Sequence, residues 1–182
     1  MKPLTMNDID ERYTKDIYVQ DYTSGAKIDG VKFIEIHSIV GEDGTFGELL
    51  RIADGKVEGL HSFRLLQVNR TEILGGSIKA WHLHLKQNEL WYVNPESHIL
   101  IGLVDLRKDS PTKGAIMRLV LGGSKSQLLF IPNGIAHGSA NMLQSTVYIW
   151  YFIDQYFDRD HPDELRLPWD SFGADFWNPK RD

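Results

Sequence analysis

The chain has 182 residues, a net charge of −5 and no cysteine, which is enough for one domain with a substantial core and cramped for two. An apolar share of 42% and a charged share of 25% exclude a disordered chain. The acidic balance, without a dense Lys/Arg run, argues against a nucleic-acid partner bound through its phosphates, and the lack of cysteine excludes disulfide and thiolate chemistry.

In chain order, the N-terminal "MKPLTMNDIDERYTKD" is polar, lacks the apolar core of a signal peptide and has room for one short helix. The middle of the chain reads as strands at 30–40, 46–52, 62–68, 78–85, 89–93, 98–107, 115–122, 126–132 and 145–153. Each is short and rich in β-branched or aromatic residues, with Gly, Asn, Asp, Ser or Pro at its ends. "HPDELRLPWDSFG" (161–173) reads as a helical turn and an irregular tail. Many short strands with almost no helical periodicity predict an all-β sandwich or closed barrel, one domain over 1–182 with its barrel core at roughly 30–157. The longest apolar runs, "ILIGLV" (99–104) and "VYIWYFI" (147–153), are too short to span a bilayer, so the expected setting is the cytoplasm with no membrane association.

"WHLHLKQNEL" (81–90) carries the chemistry. Side chains alternate faces along a strand, so His82 and His84 share a face, and a turn over 85–88 lets Glu89 face back toward them. "IPNGIAHGSAN" (131–141) adds His137 after a Pro-x-Gly turn, read as a loop that aims the ring. Three imidazoles and a carboxylate suit a transition-metal site, and equally one catalytic base with ordinary neighbours. Tyr151 alternates with Ile149 and Ile153, so it reads as core packing or as an acid. His37, His61, His98 and His161 fit no motif.

These residues resemble the cupin superfamily, small jelly-roll barrels also described as double-stranded β-helices. Gly76, His82, His84 and Glu89 match its first motif, with Glu96 in place of the closing Gly. Pro132, Gly134, His137 and Asn141 match the second, with Ser126 in place of its Gly. The resemblance implies the fold and a metal set of His82, His84, Glu89 and His137, suited to Zn, Fe, Ni, Mn or Cu.

Over roughly 30–177 the chain is more narrowly similar to the dTDP-4-dehydrorhamnose 3,5-epimerase family, built on the same barrel. "VDLRKDSPTKG" (104–114), "IPNGIAHG" (131–138), "GTFGE" (44–48), "QVNRTEILGGSIKAWH" (67–82) and "YFIDQYF" (151–157) carry that similarity. The resemblance implies inversion at carbons flanking the ketone of a nucleotide-linked 4-keto-6-deoxy sugar, with no cofactor and a homodimeric assembly. It implies His82 as base, Tyr151 as acid and Asp170 as the carboxylate orienting His82. Glu48, Gln67, Asn69, Lys79 and His137 would contact substrate, and Phe157 or Tyr156 would stack on its base. Four positions depart from the pattern: Asp43 and Lys79 stand where the family has Arg, His84 where it has Gln, and Glu89 where it has the Lys that stabilises the oxyanion.

The expected function is therefore a sugar-nucleotide epimerase or isomerase. Two rivals stand beside it: a metal-dependent isomerase or oxygenase using His82, His84, Glu89 and His137, and a sugar-binding barrel that has lost its chemistry.

Overall fold

The computed structural model describes residues 2–20 and 25–179. A 3-10 turn at Met6–Asp8 precedes the helix α1 (Glu11–Thr14), whose N-cap Asp10 accepts the Arg12 backbone N–H. The rest is strand and turn. β1 is Lys32–Glu35, β2 Ser38–Gly41, β3 Gly44–Gly47, β4 Ile52–Ala53 and β5 Lys56–Val57. β6 is Leu60–Arg64, β7 Gln67–Ile73, β8 Ile78–Leu83, β9 Glu89–Val93 and β10 His98–Asp105. β11 is Ile116–Gly122, β12 Gln127–Ile131, β13 Ile135–Ala140, β14 Val147–Ile153 and β15 Leu165–Arg166.

Two five-stranded antiparallel sheets face each other in a jelly-roll barrel. One runs β1-β12-β9-β14-β7 and the other β11-β10-β13-β8-β15, while β2-β3 and β4-β5-β6 form small sheets of their own. Inward side chains of both large sheets, among them Ile73, Ile99, Ile101, Leu103, Leu121, Leu129 and Ile149, make the main core. The outer face of the first sheet is covered as well: Leu90, Tyr92, Leu128 and Phe130 pack on Val57, Leu60 and Phe63. Both faces of β9 are thus buried, which is why "ELWYV" reads as a nearly continuous apolar run. The C-terminal tail covers the second sheet, with Trp81, Val104, Ala136 and Trp177 in one cluster.

The observed strands depart from the expected ones in several places, among them β15, which lies where 161–173 was read as a helical turn and an irregular tail. The expected strand 30–40 breaks at Ile36–His37, because β1 pairs with β12 in the main sheet whereas β2 turns away to pair with β3. Residues 48–51, expected within a strand, lie in no element. The expected strand 62–68 divides into β6 and β7, which belong to different sheets. β13 is the strand the sequence hides. "IAHGSA" has little β propensity, yet it is fully buried between β10 and β8 and takes its conformation from those two neighbours.

Candidate active site

A cavity of about 800 Å3 opens between the two sheets. The second sheet supplies His82 from β8 and His137 from β13, paired across the ladder at His137↔His82. The first supplies Glu89 and Trp91 from β9, Tyr151 from β14, and Asn69 and Thr71 from β7. The segment after β14, from Gln155 to Arg166, forms part of the wall and brings in Tyr156, Phe157, His161, Asp163 and Glu164.

The three histidines are neighbours. The rings of His82 and His137 stack at 5.9 Å between centroids, and those of His84 and His137 at 5.3 Å. His137 sits on a strand rather than on the expected loop. The Pro-x-Gly turn ahead of it serves its neighbour: Gly134, at φ +78°, donates its N–H to the His84 carbonyl at 2.8 Å.

Glu89 lies at the centre, 4% exposed. Its Oε1 accepts from Gln87 Nε2 at 2.7 Å and stands 3.1 Å from His84 Nε2. Its Oε2 accepts from Trp91 Nε1 at 2.5 Å and stands 3.4 Å from His137 Nε2. Burial would raise the Glu89 carboxyl, but His137, His84 and the Trp91 N–H hold it down at about 2. His84 shows the opposite balance. Burial pushes it down, yet the Glu89 carboxylate and the Asp163 carbonyl leave it above its ordinary value. An oxygen acceptor faces each ring nitrogen, Asp163 O at Nδ1 and Glu89 at Nε2, an arrangement that favours the doubly protonated imidazole.

His82 has a different partner. Its Nδ1 faces the Glu164 Oε1 at 3.2 Å, and among the described residues Nε2 has no carboxylate contact. Burial, then the charges of His137 and Arg166, lower it to about 4 against the weaker pull of Glu164 and Glu89. His82 is therefore a neutral imidazole at physiological pH. Tyr151 is held above its ordinary value by burial and by the Glu89 and Glu164 charges, so it keeps its O–H.

Of the expected substrate contacts, Asn69, Lys79, His137 and Phe157 line the cavity. Lys79 donates to Thr71 Oγ1 at 2.9 Å. Gln67 stands behind them, donating to Asn69 Oδ1 at 2.8 Å and accepting the Phe157 N–H at 3.1 Å. Two expected residues lie elsewhere. Glu48 faces a separate groove beyond the first sheet and pairs with Arg51 at 2.9 Å. Asp170 is exposed and does not line the cavity; the carboxylate beside His82 is Glu164, because β15 pairs with β8 at Arg166↔His82 and so brings residue 164 to the ring. Glu164 and Asp163 were not foreseen, since nothing in "HPDELR" fixes how the chain returns to β8. Gln87 and Trp91 were not foreseen either, although their period-two spacing around Glu89 was visible.

The expected metal set divides. Among the described residues His84, Glu89 and His137 converge, with ligand atoms within 4.8 Å of one another, and His82 is outside the group. The donor types and spacing fit a transition cation, and the Nδ1 atoms of His84 and His137 both face backbone carbonyls, Asp163 O and Ile135 O. That arrangement turns the Nε2 atoms inward, as ligating imidazoles require.

Known proteins match this sequence and its architecture. The family model for dTDP-4-dehydrorhamnose 3,5-epimerase matches residues 25–180. The chain belongs to that family. It is 37% identical to the spore coat polysaccharide biosynthesis protein SpsL of Bacillus subtilis over 83% of this chain and 97% of that one. It is 28% identical to the dTDP-4-dehydrorhamnose 3,5-epimerase of Methanothermobacter thermautotrophicus over 79% and 76% of the two chains. Among solved structures, the dTDP-6-deoxy-D-glucose-3,5-epimerase of Legionella pneumophila, in complex with dTDP-4-keto-L-rhamnose, superposes with a TM-score of 0.69 at 26% identity. The match covers 85% of this chain and 81% of that one. Membership of the family makes this chain an enzyme of the sugar-nucleotide epimerase and isomerase class.

Proposed function

We propose that the chain epimerises a nucleotide-linked 4-keto-6-deoxyhexose at carbons flanking the ketone, with His82 as base and Tyr151 as acid. The observation that carries this reading is that the two groups project from facing sheets into one cavity, His82 from β8 and Tyr151 from β14. Inversion requires that arrangement: a proton leaves one face of the ring carbon and another arrives on the opposite face. His82 Nε2 takes the α-proton while Glu164 at Nδ1 holds the tautomer and steadies the imidazolium that forms. The electrons of the broken C–H bond move onto the C4 oxygen as an enolate. Return of the ketone then draws a proton from the Tyr151 hydroxyl onto the other face, and solvent resets both residues.

The enolate needs positive charge nearby, and the family's lysine position is Glu89. In this reading the doubly protonated His84 offsets Glu89, so the floor is not net anionic. Asn69, Lys79 and His137 contact the sugar and diphosphate, Gln67 supports Asn69, and Phe157 or Tyr156 stacks on the base. The proposal includes a homodimer in the cytoplasm, and a reducing compartment suits a chain without cysteine. The β2-β3 hairpin supports the dimer, since it leaves Ile39, Val40 and Phe46 at 70%, 79% and 67% exposure. The test is product analysis by NMR with dTDP-4-keto-6-deoxyglucose. Inversion at C3, C5 or both is the expected result; a recovered substrate that binds without change would leave only a sugar-binding barrel.

A second reading is favoured by one observation, the convergence of His84, Glu89 and His137 without His82. A divalent cation held there would polarise the C4 oxygen, and His82 would remain free as the base. Metal content of protein purified without chelators separates the two: stoichiometric metal supports the second reading, and its absence, with no Co(II) spectrum on titration, supports the first.

A further inference from the structure

Two consecutive residues of the segment after β14 hold the two histidines of the β8 edge. Glu164 faces His82, and the Asp163 carbonyl accepts from His84 Nδ1. The Asp163 side chain makes a separate set of bonds. Its Oδ1 accepts the Leu85 N–H at 3.0 Å, and its Oδ2 accepts the Lys86 and Gln87 N–H groups at 2.8 and 2.9 Å. Three successive backbone donors thus converge on one carboxylate, in the manner of an anion nest supplied from within the chain. Burial would raise the Asp163 carboxyl, but those N–H groups hold it below its ordinary value.

The nest is the turn between β8 and β9, which separates His84 from Glu89. Gln87, whose N–H enters the nest, also sends its side chain to Glu89. Downstream of Glu164, the segment joins β8 through β15 at Leu165↔Leu83 and Arg166↔His82. The Asp163 carboxylate is what draws the residues before that ladder onto the turn.

We propose that Asp163 is a positioning residue of the active site: it locks the β8–β9 turn to the C-terminal segment, so that His84 and Gln87 hold their orientation toward Glu89. The kinetic consequence rests on the epimerase reading above; the structural one rests on the bonds alone. The clamp serves His84 equally as a charged donor or as a metal ligand, because Nδ1 donates to the Asp163 carbonyl in both.

The test uses full-length wild type, Asp163→Ala and Asp163→Asn. The His84 Nδ1–H resonance is followed in 15N-labelled protein and assigned by its absence in His84→Gln, and deuterium uptake by dTDP-4-keto-6-deoxyglucose is measured alongside. In Asp163→Ala the hydrogen-bonded resonance is expected to disappear and kcat for exchange to fall about 100-fold, the cost of a misplaced reacting group, with KM little changed. Asp163→Asn, which keeps one oxygen in the nest, is expected to fall in between, and it carries the comparison if the alanine variant does not fold. A variant with a lower Tm but an unchanged His84 resonance and unchanged kcat would overturn the proposal. Failure of the wild type to exchange would count against the epimerase reading alone, and the resonance would then decide the clamp.

Discussion

A carboxylate enclosed between two sheets must be kept ionised by its neighbours, and Glu89 has four: Gln87 and Trp91 as neutral donors, His84 and His137 as imidazoles. Desolvation alone would favour its neutral form. Its depressed value owes most to His137 and then to His84, and the raised value of His84 owes most to Glu89. His82, with its carboxylate outside that network, is free to stay neutral. This has a measurable consequence. A histidine whose folded value is lowered to about 4 remains an unprotonated base through the range in which an ordinary histidine, near 6.5, would be switched off. The acid limb of kcat/KM, which reports the free enzyme, is expected near pH 4. A limb near 6.5 would show that burial does not set the base. The same shift lowers stability as pH falls from 6.5 toward 4, because the unfolded chain takes up a proton there and the folded chain does not.

At the scale of elements, the site was legible where the chemistry lies along a strand. The H-x-H spacing put His82 and His84 together, and the alternation of β14 put Tyr151 inward with Ile149 and Ile153, leaving Tyr148 and Trp150 at 40% exposure on the outer face. Legibility ended where position depends on a return path through space. Asp170 and Glu164 are six positions apart in one tail, and only the β15–β8 register selects between them. β13 was hidden for a related reason, since a strand of small residues is made by its neighbours rather than by its own propensity. The tail's second task is to cover the sheet that carries the site. Gly102, on β10, leaves no room for a side chain: a Cβ there would lie 2.5 Å from Phe176 and 2.6 Å from Trp81. Gly102→Ala is expected to cost about 1–3 kcal/mol, read by urea denaturation, because Trp81 must shift or the tail must lift. An unchanged midpoint would mean that the tail packs loosely on β10.

Over the whole molecule, the inner faces of the two large sheets are buried against each other, whereas the β2-β3 hairpin leaves Ile39, Val40 and Phe46 more exposed than any large apolar residue of those sheets. Its apolar residues are exposed on a two-stranded ribbon, which is marginal in water on its own. A second copy of the chain is the proposed cover. Sedimentation is expected to give twice the 20.9 kDa chain mass, and Phe46→Asp is expected to return the protein to a monomer. A wild-type monomer would remove the dimer from the account. The same hairpin carries Asp43, which stands where the family has Arg, toward the surface and outside the cavity lining, and Glu48 follows it out of the cavity.

The central claim is that His82 removes a proton next to the substrate's ketone, and isotope exchange tests it most directly. Wild type and His82→Ala would be incubated in D2O with dTDP-4-keto-6-deoxyglucose, each with its purified metal content and after chelation, and deuterium at C3 and C5 followed by NMR. The account predicts uptake by the wild type in both preparations and a loss of about 100- to 10,000-fold in His82→Ala, the range for removal of a general base. Uptake that survives in His82→Ala, or that is absent from the wild type altogether, would contradict it.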